Sequence, residues 1–141
     1  MKKIIFIGSL ILFLGCNSKK EEKIEIISKE NIYKQSEMAA LMLLMYETNA
    51  NNKKLILEGK QLAKFPEGFL KIHSAKLTDS TDRTADFKTF SDFYLNNMKQ
   101  VFESPKDSLT LKHNTTINSC ITCHQTTCIG PIPKIKKLLI Q

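Results

Sequence analysis

Near the C-terminal end of the chain, two cysteines and a histidine stand in the string Cys120-Ile121-Thr122-Cys123-His124. Residues three apart on a helix share one face, so both sulfurs of this string lie on the same side of a single turn. The histidine follows the first cysteine by four residues and brings an imidazole nitrogen that can ligate iron. Cys-x-x-Cys-His is the attachment signature of a c-type haem, with two thioethers on one haem edge and the histidine beneath the iron. Three other chemistries use the same residue types. A dithiol pair of the thioredoxin kind needs a strand leading into a helix, and no βαβ pattern accompanies this string. A zinc site would draw on His113, Cys120, Cys123, His124 and Cys128. A structural disulfide is open to any chain outside the cytoplasm. The expectation is one covalent haem c held by Cys120, Cys123 and His124.

The elements that must position this string read as helices. From residue 36 to about 62, Met38, Leu41, Met42, Met45, Asn49, Asn52, Leu55, Ile56 and Gly59 recur at spacings of three and four. Ser36 suits an N-cap, and Glu37 falls where the helix dipole favours an acid. A second, shorter helix is expected from Pro66, burying Phe69, Leu70, Ile72 or His73, and Leu77. The run Thr78-Asp79-Ser80-Thr81-Asp82 reads as a loop. A third helix starts near Asp86, with Phe87, Phe90, Tyr94, Met98, Val101 and Phe102 on one face, and Ser104-Pro105 closes it. The fourth covers residues 107–128, with Leu109, Leu111, His113, Ile117, Cys120, Ile121 and His124 along it. Gly130-Pro131 ends it, leaving a tail in which Ile132, Ile135 and Leu138 can lie on the bundle. Four helices with short connections predict an all-α fold, an antiparallel four-helix bundle around a covalently bound haem.

The other end of the chain reads as an address. Lys2 and Lys3 precede residues 4–14, which are apolar except for Gly8 and Ser9, and Gly15-Cys16 follows. So short a run is a signal segment rather than a permanent span. Phe13-Leu14-Gly15-Cys16 resembles the lipobox of bacterial lipoproteins, with Phe13 where leucine is usual. The resemblance implies cleavage after residue 15 and acylation of Cys16, whose lipid chains provide the membrane anchor. Residues 16–35 then form the lipidated cysteine and a charged tether, and residues 36–141 the haem-binding bundle with its tail. The expected location is the bacterial cell envelope, lipid-anchored at the outer membrane on its periplasmic or surface face.

Composition sets bounds on the rest. The chain has 141 residues, 42% of them hydrophobic, which is one domain's length and enough for a core without disulfide staples. One short apolar run cannot build a polytopic membrane protein. The net charge of +7 loses two lysines on cleavage, and the remaining lysines alternate with acids. No basic-aromatic motif accompanies that charge, so nucleic acid is not an expected partner. No acid–base or nucleophile–base pair stands at an identifiable spacing, and the chain is not expected to be an enzyme.

A single Cys-x-x-Cys-His in the last helix of a bundle resembles the class II cytochromes c, the cytochrome c-prime group. The resemblance covers residues 36–128, and only Cys120, Cys123 and His124 match a specific motif. It implies that the first helix faces the haem opposite the last and supplies or blocks the sixth iron position. Low-spin carriers of that group place a methionine there, so Met42, central in the stripe with Met38 and Met45, is the expected second metal ligand beside His124. His73 and His113 are rivals. Five-coordinate members bind small gases, which is the alternative to electron carriage; a zinc-binding structural lipoprotein is the third reading. The chain departs from the group after the motif, with Cys128 four residues past His124 and a lysine-rich tail that could dock an acidic redox partner. Pairing with a second copy stays open.

Overall fold

The computed structural model describes residues 35–141. Cys16, the signal segment and the tether up to residue 34 lie outside the described residues. All regular structure described is helical: α1 (Glu37–Leu57), a 3-10 segment (Glu67–His73), α2 (Ala85–Glu103), α3 (Leu109–Thr126) and the short α4 (Ile132–Lys136), with single 3-10 turns at Ser80–Asp82, inside the expected loop, and at Lys106–Ser108. Among the described residues, no helix is long and apolar enough to cross a membrane.

α1 begins where the sequence places it. Ser36 Oγ accepts from the Ala39 N–H at 3.1 Å, and Glu37 sits in the first turn. It ends five residues before residue 62 because Gly59 takes φ +63°. The Gly59 N–H then donates to Ile56 O at 3.0 Å and the Lys60 N–H to Leu55 O at 2.9 Å, closing the terminal carbonyls in a Schellman motif. α2 is capped by Thr84, whose Oγ1 accepts from the Phe87 N–H at 3.1 Å, and stops before Pro105. α3 carries many β-branched residues yet stays helical. Thr115, Thr116 and Thr122 each turn the hydroxyl back onto the carbonyl four residues earlier.

The second expected α-helix is a 3-10 segment instead. Seven residues rise about 14 Å at 2.0 Å each in a 3-10 helix but only about 10 Å in an α-helix. The tighter winding lets a short segment run farther along its neighbours. Its three-residue period puts Phe69 and Ile72 together in the core and turns Leu70 out to solvent, against the expectation that Leu70 is buried.

The 3-10 segment packs against both α1 and α2. Phe65, just before that segment, meets Phe102 edge-on near the end of α2, at 6.1 Å between ring centroids. His73, at its far end, reaches Ser91 and Asp92 nearer the start of α2. The chain then passes the start of α1, where the Met38 N–H donates to Lys76 O at 3.0 Å and Ser36 bonds Thr78 at 2.9 Å. α2 and α3 form a close antiparallel pair, tied near their joint by Lys112 to Gln100 at 2.8 Å. The start of α1, the end of the 3-10 segment, the start of α2 and the end of α3 therefore lie toward one end of the helical fold.

One core cluster gathers Met38, Leu41, Met45, Phe69, Ile72, Phe87, Tyr94, Leu95 and Met98, and a second gathers Ile117, Ile135 and Leu138. Burying each large apolar side chain contributes about 1.5–3 kcal/mol. Leu111, placed along the fourth helix by its spacing, is 67% exposed and adds nothing to either cluster.

Candidate haem-attachment site

α3 turns His113, Thr116, Ile117 and Cys120 toward the interior, and the motif continues that stripe to the end of the helix. Cys120 packs at the seam between the two core clusters; Cys123 and His124 are half-buried. Burial, with a smaller push from Cys123, drives the Cys120 thiol up to about 12, and burial also raises Cys123. Both thiols are therefore neutral near pH 7. Dithiol exchange is driven by a thiolate in electropositive surroundings, the reverse of this environment. A thioether carries no charge and suits a buried sulfur.

His124 is oriented for ligation. Its Nδ1 lies 2.8 Å from the Cys128 carbonyl oxygen. A carbonyl only accepts, so the bond fixes the proton on Nδ1 and leaves the Nε2 lone pair free. A backbone carbonyl on the far ring nitrogen is the usual outer partner of a metal-bound histidine. The residue that supplies it is Cys128, through its main chain, while its thiol is exposed. The donor set of Cys120, Cys123 and His124 thus fits a covalently attached haem. Among the described residues, no three His, Cys, Asp or Glu side chains gather as ligands for a metal ion. His113, counted above for zinc, points elsewhere.

Of the α1 methionines, Met45 comes nearest the level of His124. Asn49 donates to the Tyr94 hydroxyl at 3.3 Å, and Tyr94 lies close enough to Cys120 that a thiolate there would raise its pKa. Farther along, Lys53 and His113 both hold the tail, Lys53 Nζ at 2.7 Å from Leu139 O and His113 Nε2 at 2.9 Å from Leu138 O. α1 therefore runs opposite to α3. His124 lies about 6 Å beyond Cys120, and Met45 stands the same rise before Asn49. Met45 and Met38 are buried; Met42, like His124, is half-buried.

The rival histidines are both engaged. His113 is fully buried and clamps the tail, together with Asn114, which bonds Ile140 through both amide atoms at 2.8 and 2.9 Å. The alternation of apolar residues in the tail hinted at its docking; the polar clamp had no sequence signal. Burial, and then the charge of Lys53, lowers the His113 pKa, against an opposing effect of the Leu138 carbonyl. The unfolded chain thus takes up this proton before the folded one does. The stability that neutral His113 provides is complete above about pH 6.5 and is lost as the pH falls toward the lower folded value. Urea midpoints at about pH 7.5 and 5.5 should show that decline, and His113→Gln should flatten it.

His73 forms a second cluster that the sequence did not reveal. Its Nε2 is 3.2 Å from Asp92 Oδ1, and its Nδ1 is 3.4 Å from Ser91 Oγ. The residue types are those of a hydrolytic triad, but Ser91 is 1% exposed and its hydroxyl donates to Lys88 O at 2.9 Å. The cluster pins the 3-10 segment to α2 and presents no nucleophile. The chain matches no protein-family model, no curated protein and no solved structure.

Proposed function

We propose that the chain is a single-haem c-type cytochrome, a helical bundle that carries one electron at a membrane to which acylated Cys16 anchors it. The observation that carries this reading is the His124 ring, held by Cys128 O with Nε2 free, one turn beyond Cys120 on the helix that also carries Cys123. Cys120 and Cys123 would hold the haem through thioethers and His124 would ligate its iron; the haem supplies the reversible one-electron couple. Met42 is the favoured sixth ligand, because it is central in the Met38–Met42–Met45 stripe of α1 and, unlike the buried Met38 and Met45, is half-buried. For such a carrier, no side chain needs to abstract a proton or attack a substrate. The exposed Lys134, Lys136 and Lys137 offer a docking patch to an acidic redox partner. The envelope location and the likeness to class II cytochromes c belong to the same reading.

The test is the visible spectrum of protein purified from bacterial membranes. A low-spin spectrum with a methionine-to-iron charge-transfer band supports the carrier, and Met42→Ala should abolish that band while Met45→Ala keeps it. A high-spin spectrum that responds to carbon monoxide would replace electron carriage with gas binding. A colourless, zinc-containing protein would end the haem reading. Cys16→Ser should move the protein from the membrane fraction to the soluble one.

A further inference from the structure

Among the described residues, four deeply buried side-chain atoms lack a hydrogen-bond partner: Asn49 Oδ1, Asn52 Nδ2, Asn97 Nδ2 and His113 Nδ1. Leaving a buried polar atom unsatisfied forfeits its hydration with nothing in return, so each calls for a physical reason. Asn49 is the one beside the motif. It is 1% exposed, and its Nδ2 donates both to Met45 O at 2.8 Å and to Tyr94 Oη at 3.3 Å. Tyr94 is 4% exposed and packs in the core cluster that also receives Cys120 and Met42. A phenol has one proton to give. Because Tyr94 Oη accepts from Asn49, that proton is left for another acceptor. A polar pair placed in an apolar core, with a free donor and a free acceptor next to the attachment cysteine, is costly unless something polar or polarisable completes it.

We propose that Tyr94 and Asn49 form the polar inner wall of the haem site. The Tyr94 hydroxyl donates toward the group that Cys120 carries, and Asn49 acts as a positioning residue that fixes the hydroxyl. The inference rests on the haem reading and deepens it by naming what sets the reduction potential. The positive end of an O–H dipole facing the haem stabilises the added electron and favours the reduced state. In a core that excludes water, that dipole is poorly screened.

Potentiometric titration of the membrane-purified holoprotein, followed by absorbance, tests this. Tyr94→Phe keeps the ring and removes the dipole, so at a fixed potential the ratio of reduced to oxidised protein should fall about tenfold, or about 59 mV for one electron. Asn49→Leu should move the potential in the same direction by less. A lowered thermal midpoint with unchanged potential in both variants would show that the pair only packs the core, and would overturn the proposal while leaving the haem reading intact. In reduced wild-type protein, Tyr94 ring protons displaced from ordinary tyrosine positions in the NMR spectrum support it without any variant, and ordinary positions overturn it. Wild-type protein without covalent haem would overturn the haem reading, and this proposal with it.

Discussion

Cys120→Ser with Cys123→Ser should leave the chain without covalent haem. Wild-type protein exported by a host with a haem-attachment system should keep its colour through denaturing electrophoresis and acid extraction of haem. The double variant should lose both, an all-or-none effect that intact mass checks directly. Single variants are expected to retain one thioether and altered reduced bands, because either sulfur alone can hold one haem edge. His124→Ala should differ in kind: the thioethers can still form, but the iron loses its axial nitrogen and the low-spin spectrum with it. Fold loss is a separate matter. Cys120 packs at the seam of both clusters, so its replacement by serine also leaves a buried hydroxyl in need of a partner. Far-ultraviolet circular dichroism on the same samples separates that effect from loss of attachment. Equal haem content in the double variant and the wild type would remove the basis of the functional reading.

Phe69→Ala should have the largest effect on stability. Phe69 is fully buried and meets Phe65 edge-on at 6.2 Å, and Phe65 in turn meets Phe102 of α2. Truncating a buried phenylalanine costs about 3–5 kcal/mol, because the neighbours only partly close on the cavity. A domain of this size has about 5–15 kcal/mol in total, so the urea midpoint should fall by a large fraction of its value. Leu70→Ala is the control. Leu70 lies on the solvent side of the same segment, and its loss should stay within about 0.5 kcal/mol. An α-helical winding in place of the 3-10 one would bring Leu70 against the core and raise its cost, so the pair of variants reports the winding directly.

The helices were legible because their signals are local. Ser36 and the Met38–Leu41–Met45 stripe place the start and inner face of α1, and Phe87, Tyr94, Met98 and Val101 do the same for α2. The 3-10 segment was misread because a stripe of Phe69 and Ile72 fits either period once a segment is only seven residues long. Leu111 was misplaced for a related reason. On α3 the hydroxyls of Thr116 and Ser119 are satisfied by back-bonding, so the buried face runs through Leu109, His113, Thr116, Ile117 and Ser119 and leaves Leu111 outside.

The candidate site divides in the same way. Five consecutive residues specify Cys120, Cys123 and His124 by type and spacing, since one helical turn fixes where their side chains stand relative to each other. Whatever depends on distant segments had to wait for the fold. The carbonyl that orients His124 comes from Cys128, the pair beside Cys120 comes from α1 and α2, and the level of Met42 and Met45 follows from the opposed directions of α1 and α3. Sequence by itself determined the all-α class, the starts of α1 and α2 and the residue types and spacing of the motif, because these are set within a few residues of chain. Only the tertiary structure decided which histidines are engaged, how far each thiol is covered and which buried polar groups are left without a partner. Those properties belong to contacts between residues far apart in the chain, and no local pattern encodes them.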